Sequence, residues 1–278
     1  MSKRIMQMVL IGFRQLQDPY YQGFAAQVAF FLMLSIVPIV IVVSRMLAFF
    51  SISMESIARW IEHYVPAQFA QTLTSLITYT PSTAMNLFFI LIAVWSASRA
   101  QFAMMRIANH ILTGGKTTGQ GYLKDRFRAF RTMFLTLFSF AFSLIILVYG
   151  EILFKFVAAA ITQDFYVKYE IASFWKIIRW PVALALYFLA VSYNYYVIPT
   201  GRVKFREVVP GSIFASVGMF IVTLIYTYYV DYIASYDIIY GSLASIVALL
   251  FWFYFLAWAL GLGVLFNKVW ADTADPKQ

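Results

Sequence analysis

The chain predicts an all-α fold, a polytopic integral membrane protein with six transmembrane helices and amphipathic helices at its interfaces. Three observations carry that expectation. The first is composition: 62% of the 278 residues are hydrophobic, 19% aromatic and 12% charged, whereas soluble domains are roughly half apolar and about a quarter charged. The second is segmentation. Six windows free of Asp, Glu, Lys and Arg, at 19–44, 63–98, 132–150, 180–201, 208–230 and 238–267, are each at least 19 residues long, and about 20 apolar residues cross a hydrocarbon core as a helix. The third is charge asymmetry. With an even number of spans and both termini in the cytoplasm, 15 of the 21 Lys and Arg fall inside and six outside, the six being Arg45, Arg59, Lys155, Lys168, Lys176 and Arg179. The positive-inside rule favours that orientation.

The elements follow in order as one membrane domain over 1–278. Residues 3–17 form an interfacial helix, because Ile5, Met8, Val9, Gly12, Phe13 and Leu16 recur at three- and four-residue spacing opposite Lys3, Arg4, Gln7, Arg14 and Gln15. Those polar residues also interrupt the apolar run that a cleaved signal needs, so the first long run is read as a span, about 25–48. The window 63–98 is too polar at its start for lipid, with Gln68, Gln71, Thr72, Thr74, Pro81, Ser82 and Thr83. An outer amphipathic hairpin, about 54–80, therefore precedes a second span at about 85–104; it reads either as a lid or as an interfacial packing element. Further spans are placed at about 132–154, 179–198, 211–233 and 241–266. The tyrosines and aspartates closing the fifth, Tyr226 to Asp237, read as an aromatic belt.

Chemistry-bearing residues are few. The chain has no cysteine, which excludes disulfides, thiolate metal sites and thiol catalysis. Its two histidines are His63 and His110. Polar groups inside spans are costly and face a partner or a cavity, so Gln27, Ser35 and Pro38 in the first span are candidates for a substrate path. Arg99, Arg106 and Asn109 at the inner end of the second join them, as does Asn194 in the fourth. Pro38 removes a backbone bond near Leu34 and makes either a binding kink or a packing feature. Arg99 and Arg106, seven apart, share a helix face and with Arg126, Arg128 and Arg131 form either a basic vestibule or a set of snorkelling anchors. Glu151 and Lys155 have i,i+4 spacing for an ion pair. In the last helix, Tyr240, Gly241 and Asn267 are further path candidates, and Gly241, Gly261 and Gly263 permit close backbone approach.

Four blocks carry a resemblance: AAQVAFFLMLSIVPIVIVV (25–43), WSASRAQFAMMRIAN (95–109), YYVIPTGRVKFREVVPGSIFAS (195–216) and YGSLASIVALLFWFYFLAWALGLGVLFN (240–267). Together they resemble the YihY/BrkB family of bacterial inner-membrane proteins, long labelled ribonuclease BN-like. The most specific pieces are Pro210-Gly211-Ser212 and the Tyr240 to Ala244 block. The resemblance implies six helices and a role in envelope integrity or export. One departure is visible: the family usually ends its last helix Gly-Ala-Glu-Leu-Asn, and here Leu265 stands at the acidic position between Gly263 and Asn267.

The functional expectation is a transporter or flippase-like protein for an anionic or amphiphilic envelope substrate, with a cavity lined by the first, fourth and last spans. The alternative is a non-transporting structural protein of the envelope, with ribonuclease activity placed last. Metal-dependent RNA hydrolysis needs clustered His and carboxylate ligands. The inner segments carry only Asp18, Asp125, Glu207, Asp272, Asp275 and His110, scattered along the chain. No enzyme, no cofactor and no metal are expected. The expected partners are membrane lipids, with anionic headgroups at the cytoplasmic face, and an unidentified small-molecule or lipid substrate. A specific nucleic acid is not expected, and a homo-oligomer is left open.

Overall fold

Seven helices run through the residues that a computed structural model of the chain describes, namely 2–49, isolated positions of 71–79, 82–136, 165–201, 203–232 and 242–274. They are α1 (Ser2–Leu16), α2 (Pro19–Phe49), α3 (Thr83–Leu112), α4 (122–136), α5 (Phe165–Val197), α6 (Phe205–Tyr232) and α7 (Ser242–Ala274). No strand occurs among the described residues. Among the described residues, four stretches are long and apolar enough to cross a membrane: Gly23–Ile41, Thr83–Leu112, Phe205–Tyr229 and Ile246–Thr273. Of the six expected spans, the third lies mostly outside the described residues, and the fourth falls within α5. Glu151, Lys155, Tyr240, Gly241 and all but isolated positions of the outer hairpin also lie outside them.

Two helices extend well past the expected span ends, for reasons visible in their packing. α3 continues to Leu112 because Met105, Ile107, Ala108 and Ile111 remain buried beyond the hydrocarbon-length segment. It stops where Gly114 and Gly115 adopt φ of 62° and 83°, a left-handed turn that glycine enters without Cβ strain. α7 continues beyond Asn267 to Ala274, and its exposed last turns carry an i,i+4 pair, Lys268 Nζ to Asp272 Oδ1 at 2.8 Å.

The bundle is organised around α7. It packs along α6 and also touches α2 and α3, while α2 pairs with α3 and α5 with α6. Tyr21, Phe24, Val28 and Phe31 of α2 share one buried cluster with Phe102, Met105 and Ile107 of α3 and Leu256, Val264 and Leu265 of α7. Leu265, at the position where the resembled family usually has an acid, is thus a core side chain. Missing side chains let the helices approach. A Cβ on Gly261 would sit 2.3 Å from the Phe24 ring, one on Gly211 would sit 2.0 Å from the Gly263 carbonyl oxygen, and one on Gly263 would meet Ala215 and Tyr195. These are the small-residue contacts by which membrane helices pack without a hydrophobic driving force between them.

The outward faces are apolar. Leu87, Phe88, Leu91, Ile213, Ile221, Ile225, Phe251 and Phe255 are all exposed, a pattern that a water-soluble monomer does not carry and that lipid accommodates. α1 packs Met8 and Ile11 against the bundle and leaves Met6, Val9, Leu10 and Phe13 exposed. That open apolar strip suits a helix lying in the membrane interface.

Candidate functional site

The end of α6 that follows Lys204 and carries Arg206 meets the end of α7 that carries Lys268, and there Pro210 lies within α6. Proline has no N–H and its ring crowds the carbonyl four residues back, so the local ladder of backbone bonds is incomplete. Asn267 of α7 bonds to the backbone beside it: its Oδ1 accepts from Gly211 N–H at 2.6 Å, and its Nδ2 donates to the Val208 carbonyl at 3.1 Å. The Ser212 hydroxyl donates to that same carbonyl at 2.7 Å. The amide reaches the backbone because residue 211 is a glycine; a Cβ there would lie 2.5 Å from the Asn267 side-chain carbon.

Asn109 does the same for the turn after α5. Its Oδ1 accepts from Thr200 N at 2.8 Å and from Thr200 Oγ1 at 3.0 Å, while Nδ2 donates to the Thr118 carbonyl at 3.3 Å. From α4, Arg128 donates to the Val197 carbonyl at 2.8 Å and to the Pro199 carbonyl, covering the open C-terminal carbonyls of α5 with a cation. Burial lowers the Arg128 pKa, with Asp125 opposing that shift and Arg131 adding to it. Asp125 turns back to accept from Gln120 N–H at 3.0 Å, and Gly119 must be a glycine, since its Cβ would overlap that carboxylate. His110 Nε2 meets Asp18 Oδ2 at 2.7 Å, tying the end of α3 to the α1–α2 junction.

These anchors surround a cavity of about 270 Å³ between α3, α5, α6 and α7. Its wall is mixed. Met104, Ala108, Ile198 and Val264 give it an apolar side, whereas Asn109, Thr200, Glu207, Asn267 and Lys268 give it a polar one. Gly201, Glu207 and Ala271 are exposed and form its rim. Each asparagine amide has two N–H groups, and each uses one of them in the bonds above. Among the described residues no group of three His, Asp or Glu side chains is arranged to hold a metal ion.

Of the expected path residues that are described, Asn109 and Asn267 line this cavity and the others do not. Ser35 is buried and its hydroxyl bonds back to the Leu32 carbonyl at 2.7 Å; Pro38 is buried, whereas Gln27 on the same helix is exposed. Asn194 sits in a separate polar layer. Its Oδ1 accepts from Thr136 Oγ1 at 2.9 Å and Gln101 Nε2 at 3.3 Å, and its Nδ2 donates to the Ala190 carbonyl at 2.8 Å. Gln101 also reaches Thr132 at 3.4 Å. Arg99 and Arg106 lie off the cavity, Arg99 over the rings of Phe31 and Trp95 and Arg106 over that of Phe102. Gln101, Thr132 and Thr136 were not singled out from sequence, although uncharged polar residues at membrane depth are the signal that finds them. Tyr195 was missed because tyrosine is ordinary in such a chain. It is buried, and its hydroxyl donates to the Leu260 carbonyl at 2.5 Å beside Gly263.

A sequence model of the family described as Virulence factor BrkB matches residues 13–278. This chain belongs to the BrkB family. It is 29% identical to the ribonuclease-like protein YfkH of Bacillus subtilis (strain 168), across 89% of each chain. A UPF0761 membrane protein of Chromohalobacter salexigens is 37% identical over 28% of this chain and 19% of its own length. Another from Pseudoalteromonas translucida is 34% identical over 24% of this chain and 22% of its own length. No solved structure matches this BrkB-family chain. The family assignment agrees with the four sequence blocks read above, three of which supply Asn109, Gly211, Gly263 and Asn267.

Proposed function

We propose that this protein moves an anionic or amphiphilic envelope substrate, as a transporter or flippase-like protein, and that the substrate engages the cavity at the basic end of the bundle. The observation that carries the reading is the lining of that cavity, apolar on one side and hydrogen-bonding on the other, with Lys268 at its edge. An amphiphile presents the same two faces. The helices around the cavity meet through glycine and asparagine instead of interlocked large side chains, and this is a construction that can yield. In this reading the basic end faces the cytoplasm of a bacterial plasma membrane.

A second reading, a structural envelope protein that transports nothing, is favoured by the Asn194 layer and by Ser35. The Asn194 layer bonds across helices and Ser35 bonds to its own helix backbone, so these polar atoms are used within the protein. The ribonuclease-like name of the Bacillus subtilis relative would ask for a clustered set of ligands or acid–base groups, and the polar residues of this cavity do not supply one. Proteoliposomes loaded with small anions, or labelled asymmetrically with fluorescent phospholipid, separate the first two readings. Protein-dependent movement of lipid or anion supports transport. Flux equal to that of protein-free vesicles for every probe supports the structural reading.

A further inference from the structure

We propose that Arg99 and Arg126 together form a site for a phosphate group, supplied by membrane phospholipid. The two side chains converge from different helices, Arg99 from the middle of α3 and Arg126 from the first turns of α4. The Arg99 guanidinium carbon lies 5.0 Å from the Phe31 ring centre and 5.9 Å from that of Trp95. The Arg126 guanidinium carbon lies 5.9 Å from the Phe102 ring centre, and Phe102 meets Tyr122 edge to face at 5.7 Å. Aromatic rings therefore take the faces of both guanidinium groups and leave their edges, where the N–H donors are, for something else.

Those edges are unanswered. Arg99 Nε and Arg126 Nη1 are buried and have no hydrogen-bond partner among the described residues. Neither side chain has a carboxylate partner among them; Asp125, next to Arg126, is turned toward Gln120. Arg99 is also near enough to Arg126 for the two charges to repel. Two like charges with buried, unused donors are costly alone, and an anion with several acceptor oxygens relieves both costs at once. The surroundings indicate the source. Trp95, Tyr122, Leu123 and Phe127 on the same two helices are exposed, so acyl chains would lie against rings and aliphatic groups while the phosphate meets the arginines. This inference stands apart from transport, because a lipid held permanently would satisfy it equally.

The test is native mass spectrometry on the full-length protein in detergent, titrated with dioleoyl-phosphatidylglycerol, with dioleoylglycerol as the phosphate-free comparison and inorganic phosphate as competitor. Arg99→Gln and Arg126→Gln are each expected to weaken phosphatidylglycerol binding about tenfold, the loss of one charge-assisted pair. Lys124→Gln, an equal charge change on the exposed surface of α4, is expected to leave it unchanged. If the glutamine variants do not elute as folded protein, Arg99→Lys and Arg126→Lys keep the charge and lose the fork, and severalfold weakening is expected. Unchanged binding in the arginine variants, an equal loss in Lys124→Gln, or dioleoylglycerol binding as well as phosphatidylglycerol would overturn the site. Displacement of the lipid by millimolar inorganic phosphate would keep the phosphate site and overturn phospholipid as its source.

Discussion

Asn267 of α7 is bonded to the backbone of α6 beside Pro210: its amide oxygen lies 2.6 Å from Gly211 N, and its amide nitrogen lies 3.1 Å from the Val208 carbonyl. One side chain thus holds two backbone groups of a neighbouring helix, on either side of its proline. It also fixes the register of the helix pair that walls the cavity.

Asn267→Ala removes both bonds and leaves a buried N–H without its acceptor. The expected loss of stability is about 1–3 kcal/mol, the cost of an unsatisfied buried group moderated by the smaller values measured between membrane helices. Thermal unfolding in detergent should show a clear drop in Tm. Asn267→Asp keeps an acceptor for Gly211 but loses the donor to Val208 and introduces a charge, so it should not restore wild-type stability.

The glycines should sort by what a methyl group would strike. Gly211→Ala and Gly263→Ala push a Cβ into the opposite backbone, at 2.0 Å from the Gly263 carbonyl oxygen in one case and 2.6 Å from the Gly211 carbonyl oxygen in the other. Backbone cannot swing aside, so each should cost about 3 kcal/mol or abolish folding. Gly261→Ala meets the Phe24 ring, which can rotate, and should fall between. Gly218→Ala, with only the Ala259 Cβ at 3.4 Å, should be close to neutral. Size-exclusion profiles and Tm values for the four variants test that order.

The polar layer around Asn194 should behave as a unit. Asn194→Leu strands Thr136 and Gln101, and Thr136→Val strands part of Asn194, so the two changes share one loss. The double variant should be less destabilised than the sum of the singles by about 0.5–1.5 kcal/mol. Strict additivity in a double-mutant cycle would show that the hydrogen bonds carry no coupling.

Much of this arrangement is legible in the chain, and the limits have physical causes. Long uncharged windows report helices because lipid tolerates no other lone element, and the glycines of the last helix mark close packing before any partner is known. Asn109 and Asn267 stand out as amides at helix ends where nothing local needs them. What sequence does not show is their partners. Periodicity gives a face but not the helix it meets, so Asn267 finding Gly211, 56 residues away, is invisible to it. For the same reason Gln27, Ser35 and Pro38 look like one polar face, yet Ser35 bonds within its own helix and Gln27 points outward. Charge marks the hydrocarbon boundary and not the helix end, and α3 stays buried beyond the expected span through Met105 and Ile107.

The most direct measurement follows fluorescent phosphatidylglycerol across reconstituted vesicles for the wild type and for Ala271→Trp. Ala271 is exposed at the cavity rim, so a tryptophan there can obstruct the opening without entering the core. The account predicts protein-dependent lipid movement in the wild type and its loss in a variant of unchanged Tm. Equal movement in both proteins, or none in the wild type for any anionic or amphiphilic probe, would contradict it.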